Sequence, residues 1–99
     1  MYLVIALLAL IGPGNGVKTV KMEGMRFSPK KIEISVGDTV VWVNGSNMPH
    51  NVISDDGVVV SSLMKKGETF LYVFRKAGTF PYYCQPHRSM GMKGTVIVK

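Results

Sequence analysis

Cys84-Gln85-Pro86-His87-Arg88-Ser89-Met90-Gly91-Met92 puts a thiol, an imidazole and two thioethers inside nine residues near the end of a 99-residue chain. A second imidazole stands upstream, at His50. Soft sulfur donors favour Cu(I) while imidazole tolerates Cu(II), so two His, one Cys and a weak Met can hold either oxidation state with little rearrangement. Cys84 is the sole cysteine, which excludes a disulfide and the zinc sites that need paired cysteines. The chain has two histidines, so a His₂Cys set must use both. Singly, each residue has an ordinary reading: a small buried hydrophobe for the cysteine, a surface or hydrogen-bonded group for a histidine, packing for a methionine. Their conjunction at the end of one strand-like segment, with the remaining histidine beside another, favours a mononuclear copper site.

Working outward from that stretch, two-residue periodicity puts Phe80, Tyr82 and Cys84 on one face of a strand, with the thiol pointing inward and shielded from solvent. Pro86 restricts the backbone just before His87 and stiffens the short loop. Ile32, Ile34 and Val36 alternate with Lys31, Glu33 and Ser35; Gly37-Asp38 then leads into Thr39-Val40-Val41-Trp42-Val43, which predicts a hairpin with one buried face. Asn44-Gly45, Asp55-Asp56-Gly57, Lys66-Gly67 and Ala77-Gly78 mark further turns. They set off predicted strands at 50–53, 58–60, 69–74 and 79–84, with 94–99 as the last. Turn signals about every ten residues, with no sustained helical periodicity after residue 16, predict an all-β sandwich. A content of 46% hydrophobic and 18% charged residues suits one small domain, placed at residues 17–99.

Met48-Pro49-His50-Asn51-Val52, Gly78-Thr79-Phe80-Pro81-Tyr82-Tyr83-Cys84-Gln85-Pro86-His87 and Met92-Lys93-Gly94-Thr95-Val96-Ile97-Val98 resemble the ligand segments of the small blue-copper proteins, the cupredoxins. The resemblance runs from about Val17 to Lys99. The Met-Pro-His-Asn-Val stretch and Met64-Lys65-Lys66 are nearest amicyanin; Cys-x-x-His-x-x-x-x-Met is the plastocyanin and pseudoazurin spacing; Met90-Gly91-Met92 is pseudoazurin-like. It implies a Greek-key β-sandwich of seven to eight strands holding one type 1 copper ion. The implied ligands are His50, Cys84, His87 and Met92. Met90 would give the amicyanin spacing, but Met92 sits two residues before the Gly94 that enters the final strand, so Met92 is taken as axial. Asn51 is implied to tie the first histidine's loop to the cysteine loop, its N–H approaching the sulfur. Tyr83 matches a surface tyrosine that plastocyanins carry before the ligand cysteine, without the acidic patches of the plant proteins.

The implied activity is shuttling single electrons between redox proteins. An oxidase or nitrite reductase would need further histidines for a second copper centre, so an enzyme is not expected. Copper storage or delivery with the same ligands is the alternative. Twelve basic and six acidic residues, all after residue 16, give a net charge of +6. They are scattered, and no nucleic-acid motif accompanies them. Steering toward an acidic redox partner is the functional expectation, with Arg88, beside His87, as its contact. The protein is expected to be a monomer.

Residues 1–16 differ in kind. Met1 to Ile11 is an uncharged apolar run, and Gly12-Pro13-Gly14-Asn15-Gly16 breaks it. This predicts an export signal or anchor remnant followed by a linker, with possible membrane association through residues 1–11 and a periplasmic or other extracytoplasmic location. The run has no basic flank and no clear Ala-x-Ala site, and eleven residues cannot cross a ~30 Å core. An extra packed strand is the competing reading.

Overall fold

Short strands, most of them with one apolar face, run through residues 15–99, the part of the chain that the computed structural model describes. In chain order they are β1 (Val17–Glu23), β2 (Arg26–Ser28), β3 (Lys31–Ile34), β4 (Thr39–Asn44), β5 (Ile53–Ser54), β6 (Thr69–Val73), β7 (Gly78–Tyr83) and β8 (Lys93–Val98), with a 3₁₀ helix at Gln85–Met90. They form two four-stranded sheets, ordered β2-β1-β4-β6 and β3-β8-β7-β5. Each sheet is mixed: β1 runs parallel to β4 and β3 parallel to β8, while the other neighbours are antiparallel. The described residues form an all-β sandwich of eight strands, in line with the expected sandwich of seven to eight. The apolar run at residues 1–11, and most of the 1–16 segment, lie outside the described residues.

Alternation explains where the core sits. Val40 and Trp42 of β4 turn inward between half-buried neighbours, and meet Ile32 and Ile34 of β3 and Val96 and Val98 of β8 from the other sheet. Trp42 is central: its ring stands edge-on to Tyr82 at 5.4 Å and lies 5.8 Å from Phe70. Tyr82 in turn meets Phe27 at 4.7 Å and passes so close to Gly94 that a Cβ there would fall 2.5 Å from its ring. Glycine at the entry to β8 is thus a packing requirement. Trp42 Nε1 and Tyr82 Oη are buried without a partner at hydrogen-bonding geometry. The indole is near enough to oppose, in part, the effect of burial on the phenol, whose pKa is pushed up to about 12.

The hairpin predicted across Gly37-Asp38 is not formed. β3 pairs with β8 in one sheet and β4 with β1 and β6 in the other, so the chain crosses between sheets at that point. Gly37 takes φ +94°, and the Asp38 carboxylate accepts the N–H groups of Gly16 at 2.8 Å and Ser35 at 2.9 Å, satisfying two backbone donors at the crossing. Val36 consequently faces solvent, whereas Ile32 and Ile34 are buried. Alternation specifies a buried face and is silent on which sheet a strand joins.

Two predicted strands shrink for a different reason. Of 50–53 only Ile53 enters a ladder, and 58–60 contributes a single bridge, Val60 to Ile53. The backbone there is satisfied by hydroxyls: Val52 N–H donates to Ser61 Oγ and Val59 N–H to Ser54 Oγ, each at 2.8 Å. β1 and β2 are absent from the sequence reading. Only the second half of β1 alternates, with Val20 and Met22 buried.

Candidate metal centre

The β7–β8 hairpin builds most of the site. Tyr83 pairs with Lys93 at its end, and one further bond, Cys84 N–H to the Met92 carbonyl at 3.0 Å, brings the two ends of the loop together. Between them the chain winds as the 3₁₀ helix, with Pro86 in its first turn and Gly91 at φ +81° closing it by N–H bonds to the carbonyls of Arg88 and His87. Only a residue without Cβ adopts that φ without strain. Met92 N–H returns to the His87 carbonyl at 3.3 Å. His50 comes from the connection between sheets, held by a two-bond bridge to Met64 (3.2 and 2.8 Å).

These loops bring together three of the sequence-predicted residues. His50 Nδ1 lies 3.2 Å from His87 Nδ1, and each lies 3.5 Å from Cys84 Sγ. A triangle with those sides has its centre about 2.0 Å from every corner, at the bond lengths of first-row metals to nitrogen and sulfur, about 2.0–2.3 Å. Among the described residues these three form a group able to hold a metal ion. The donor chemistry fits copper, as two imidazoles and one thiol serve both oxidation states. His50 and Cys84 are fully buried, and His87 is half-exposed. Burial holds the His50 imidazole below its ordinary pKa, against the Gly24 carbonyl, which raises it; His87 adds a further lowering.

The two candidate methionines occupy opposite environments. Met92 is fully buried beneath the loop; Met90 is 64% exposed on its outside. Phe80, predicted to share the inward face, is only half-buried against the core, whereas Tyr82 and Cys84 are fully enclosed. Asn51 ties the two loops through its side chain, Oδ1 accepting Gln85 N–H at 2.7 Å. Tyr83 is half-buried, with the Arg88 guanidinium stacked 3.9 Å over its ring. Arg88 itself is exposed.

Sequence reasoning missed Ser46 and Asn44. Asn44-Gly45 carries only a turn signal, yet Asn44 is buried, and Ser46 Oγ lies 2.8 Å from His50 Nε2. The remaining sequence clue is a hydroxyl four residues before a candidate ligand.

Residues 15–99 match the family described as copper binding proteins, plastocyanin/azurin family. A plastocyanin of Scenedesmus fuscus is 38% identical over 84 residues, covering 74% of this chain and 86% of that protein. An amicyanin of Paracoccus versutus is also 38% identical, over 92 residues, covering 88% and 67%. Among solved structures, a reduced amicyanin variant superposes with a TM-score of 0.78 at 34% identity, covering 86% of this chain and 84% of that one. Sequence match, two-sheet scaffold and the enclosed nitrogen-and-sulfur donor set agree, and the chain belongs to the plastocyanin/azurin family of copper-binding proteins.

Proposed function

We propose that this protein is a type 1 copper electron-transfer protein in which His50 Nδ1, Cys84 Sγ, His87 Nδ1 and the Met92 thioether would hold the copper. The observation that carries the assignment is the triangle of donor atoms with 3.2 and 3.5 Å edges. Met92 is favoured over Met90 because it is enclosed and its backbone is bonded to both Cys84 and His87. Bound there, copper supplies a one-electron Cu(II)/Cu(I) couple.

The chain's own part is to hold donors and admit electrons. Cys84 is closed off from solvent, which protects the thiolate from oxidation. His87, half-exposed, is the solvent-side donor, and its imidazole edge is the route for electrons. The relatives are electron carriers, and this chain acts as a carrier of the same kind between redox proteins.

The partner is acidic at its docking surface, in keeping with the net charge of +6, and Arg88 beside His87 contacts it. The protein works as a monomer in the periplasm or another extracytoplasmic compartment, with residues 1–11 as an export or anchoring segment. No helix of the described residues is long and apolar enough to cross a membrane. Adding Cu(II) to the apoprotein tests the function. An intense Cys-to-Cu(II) charge-transfer band, a matching EPR spectrum and a reversible potential are expected; a colourless complex without reversible electrochemistry would indicate storage or delivery instead.

A further inference from the structure

The hydrogen bonds around Ser46, beside the Gly24 carbonyl that also acts on the ring, bear on which nitrogen of His50 carries the proton. The Asn44 amide is oriented by its surroundings. Nδ2 donates to the carbonyls of Met48 at 2.8 Å and Met64 at 2.9 Å, which leaves Oδ1 to accept Ser46 N–H at 2.9 Å. Ser46 Oγ then faces two acceptors, Asn44 Oδ1 at 3.0 Å and the Met48 carbonyl at 3.1 Å, and one fixed donor, Met48 N–H at 3.2 Å. A hydroxyl has one proton and two lone pairs. The proton goes to one of the two acceptors, one lone pair takes Met48 N–H, and the other is left for the nearest neighbour of all, His50 Nε2 at 2.8 Å. Were the hydroxyl to donate to the ring instead, two oxygens within 3.1 Å would confront its bare lone pairs. In this enclosed place, with Ser46 8% exposed and His50 fully buried, no water relieves such a conflict.

We propose that Ser46, oriented by Asn44, is a positioning residue that locks His50 in the Nε2–H tautomer. The Nδ1 lone pair is thereby aimed at the space shared with Cys84 Sγ and His87 Nδ1. A ring that donates its far N–H to an oxygen is a stronger donor through the other nitrogen. The stronger donor favours Cu(II), the harder of the two ions. Ser46 thus tunes the couple as well as the geometry. The tuning rests on the copper reading above; the tautomer does not.

Two measurements test the two parts separately. Long-range ¹H–¹⁵N spectra of the wild-type apoprotein should show His50 protonated at Nε2 and bare at Nδ1, and this needs neither copper nor a variant. Ser46→Ala should move the Nε2–H signal and speed its exchange with water. Copper titration of that variant should show Cu(II) affinity falling by about 10- to 100-fold, with Cu(I) affinity affected less. Each tenfold loss of Cu(II) relative to Cu(I) affinity raises the potential by about 59 mV. Ser46→Thr, which keeps the hydroxyl, should restore both readouts. A wild-type His50 protonated at Nδ1 would overturn the proposal. So would a Ser46→Ala protein that melts earlier yet keeps the wild-type potential and Nε2–H signal, because that is the behaviour of a merely structural serine.

Discussion

Asn51→Ala should loosen the metal centre without touching a ligand. The Asn51 side chain, 5% exposed, accepts Gln85 N–H at 2.7 Å, joining the residue after His50 to the residue after Cys84 across 34 positions of sequence. Removing the acceptor forfeits a net ~0.5–1.5 kcal/mol if water replaces it, and ~1–3 kcal/mol if the donor stays dry. Gln85 is exposed, so water can reach its N–H and the lower range applies, about 1 kcal/mol. In a domain of this size that lowers the melting temperature by roughly 4–8 °C. The copper-loaded protein should lose more than the apoprotein, because the bond also holds two donor loops at one separation. Calorimetry of both forms and the visible spectrum check this, with Asn51→Asp as the variant that keeps an acceptor oxygen. An Asn51→Ala protein with unchanged melting in both forms and an unchanged spectrum would show that the bond does not tie the loops.

Met92→Gln should lower the reduction potential and change the EPR spectrum, while Met90→Leu leaves both nearly as they were, because of the two methionines only the one that would bind the metal acts on it directly; the opposite outcome moves the site to Met90. The rate with an acidic partner should fall with ionic strength as the Debye length shrinks from about 30 Å at 0.01 M to about 10 Å at 0.1 M, whereas a flat stopped-flow salt series would indicate apolar docking alone. Tyr82, with its pKa raised to about 12, keeps its phenol neutral in the folded state after the unfolded chain begins to ionise near 10. Its contribution is therefore complete below pH 10 and is lost between pH 10 and 12, about 2–3 kcal/mol in all, and urea unfolding of Tyr82→Phe over that range should show a shallower alkaline decline.

How far the fold and site can be read from sequence follows from what each residue's chemistry specifies. Donor identity is written in side-chain type, and the structure places His50, Cys84 and His87 within bonding reach of one point. Turn signals likewise delimit β4, β6, β7 and β8 to within a residue or so. Pairing is another matter. Ile32 and Ile34 announce a buried face, but that face could belong to either sheet; Asp38 and the left-handed Gly37 decide the crossing, and a Gly-Asp pair signals hairpin and crossing alike. The 50–60 region fails differently. Its apolar residues are strand-like, yet Ser54 and Ser61 take the backbone bonds that a ladder would use. A hydroxyl's choice of backbone partner depends on three-dimensional proximity, so Ser46 could not be picked out from its neighbours in sequence.

The same dependence on long-range hydrogen bonds explains why the site is rigid where a carrier needs rigidity. Electron transfer is fast when little moves between oxidation states, so each donor must be held by the protein in both. His50 is fixed on its backbone by Met64 and on its ring by Ser46. Cys84 and Met92 are joined by a backbone bond that extends the β7–β8 hairpin, and His87 sits between them in a turn with Pro86 at one end and Gly91 at the other. The Asn51 bond to Gln85 then couples the two loops. None of these restraints passes through the donor atoms that face one another, so a change of charge at the centre strains no protein bond directly. The exposed side of His87, next to an Arg88 stacked on Tyr83, is where a partner can approach without disturbing that frame.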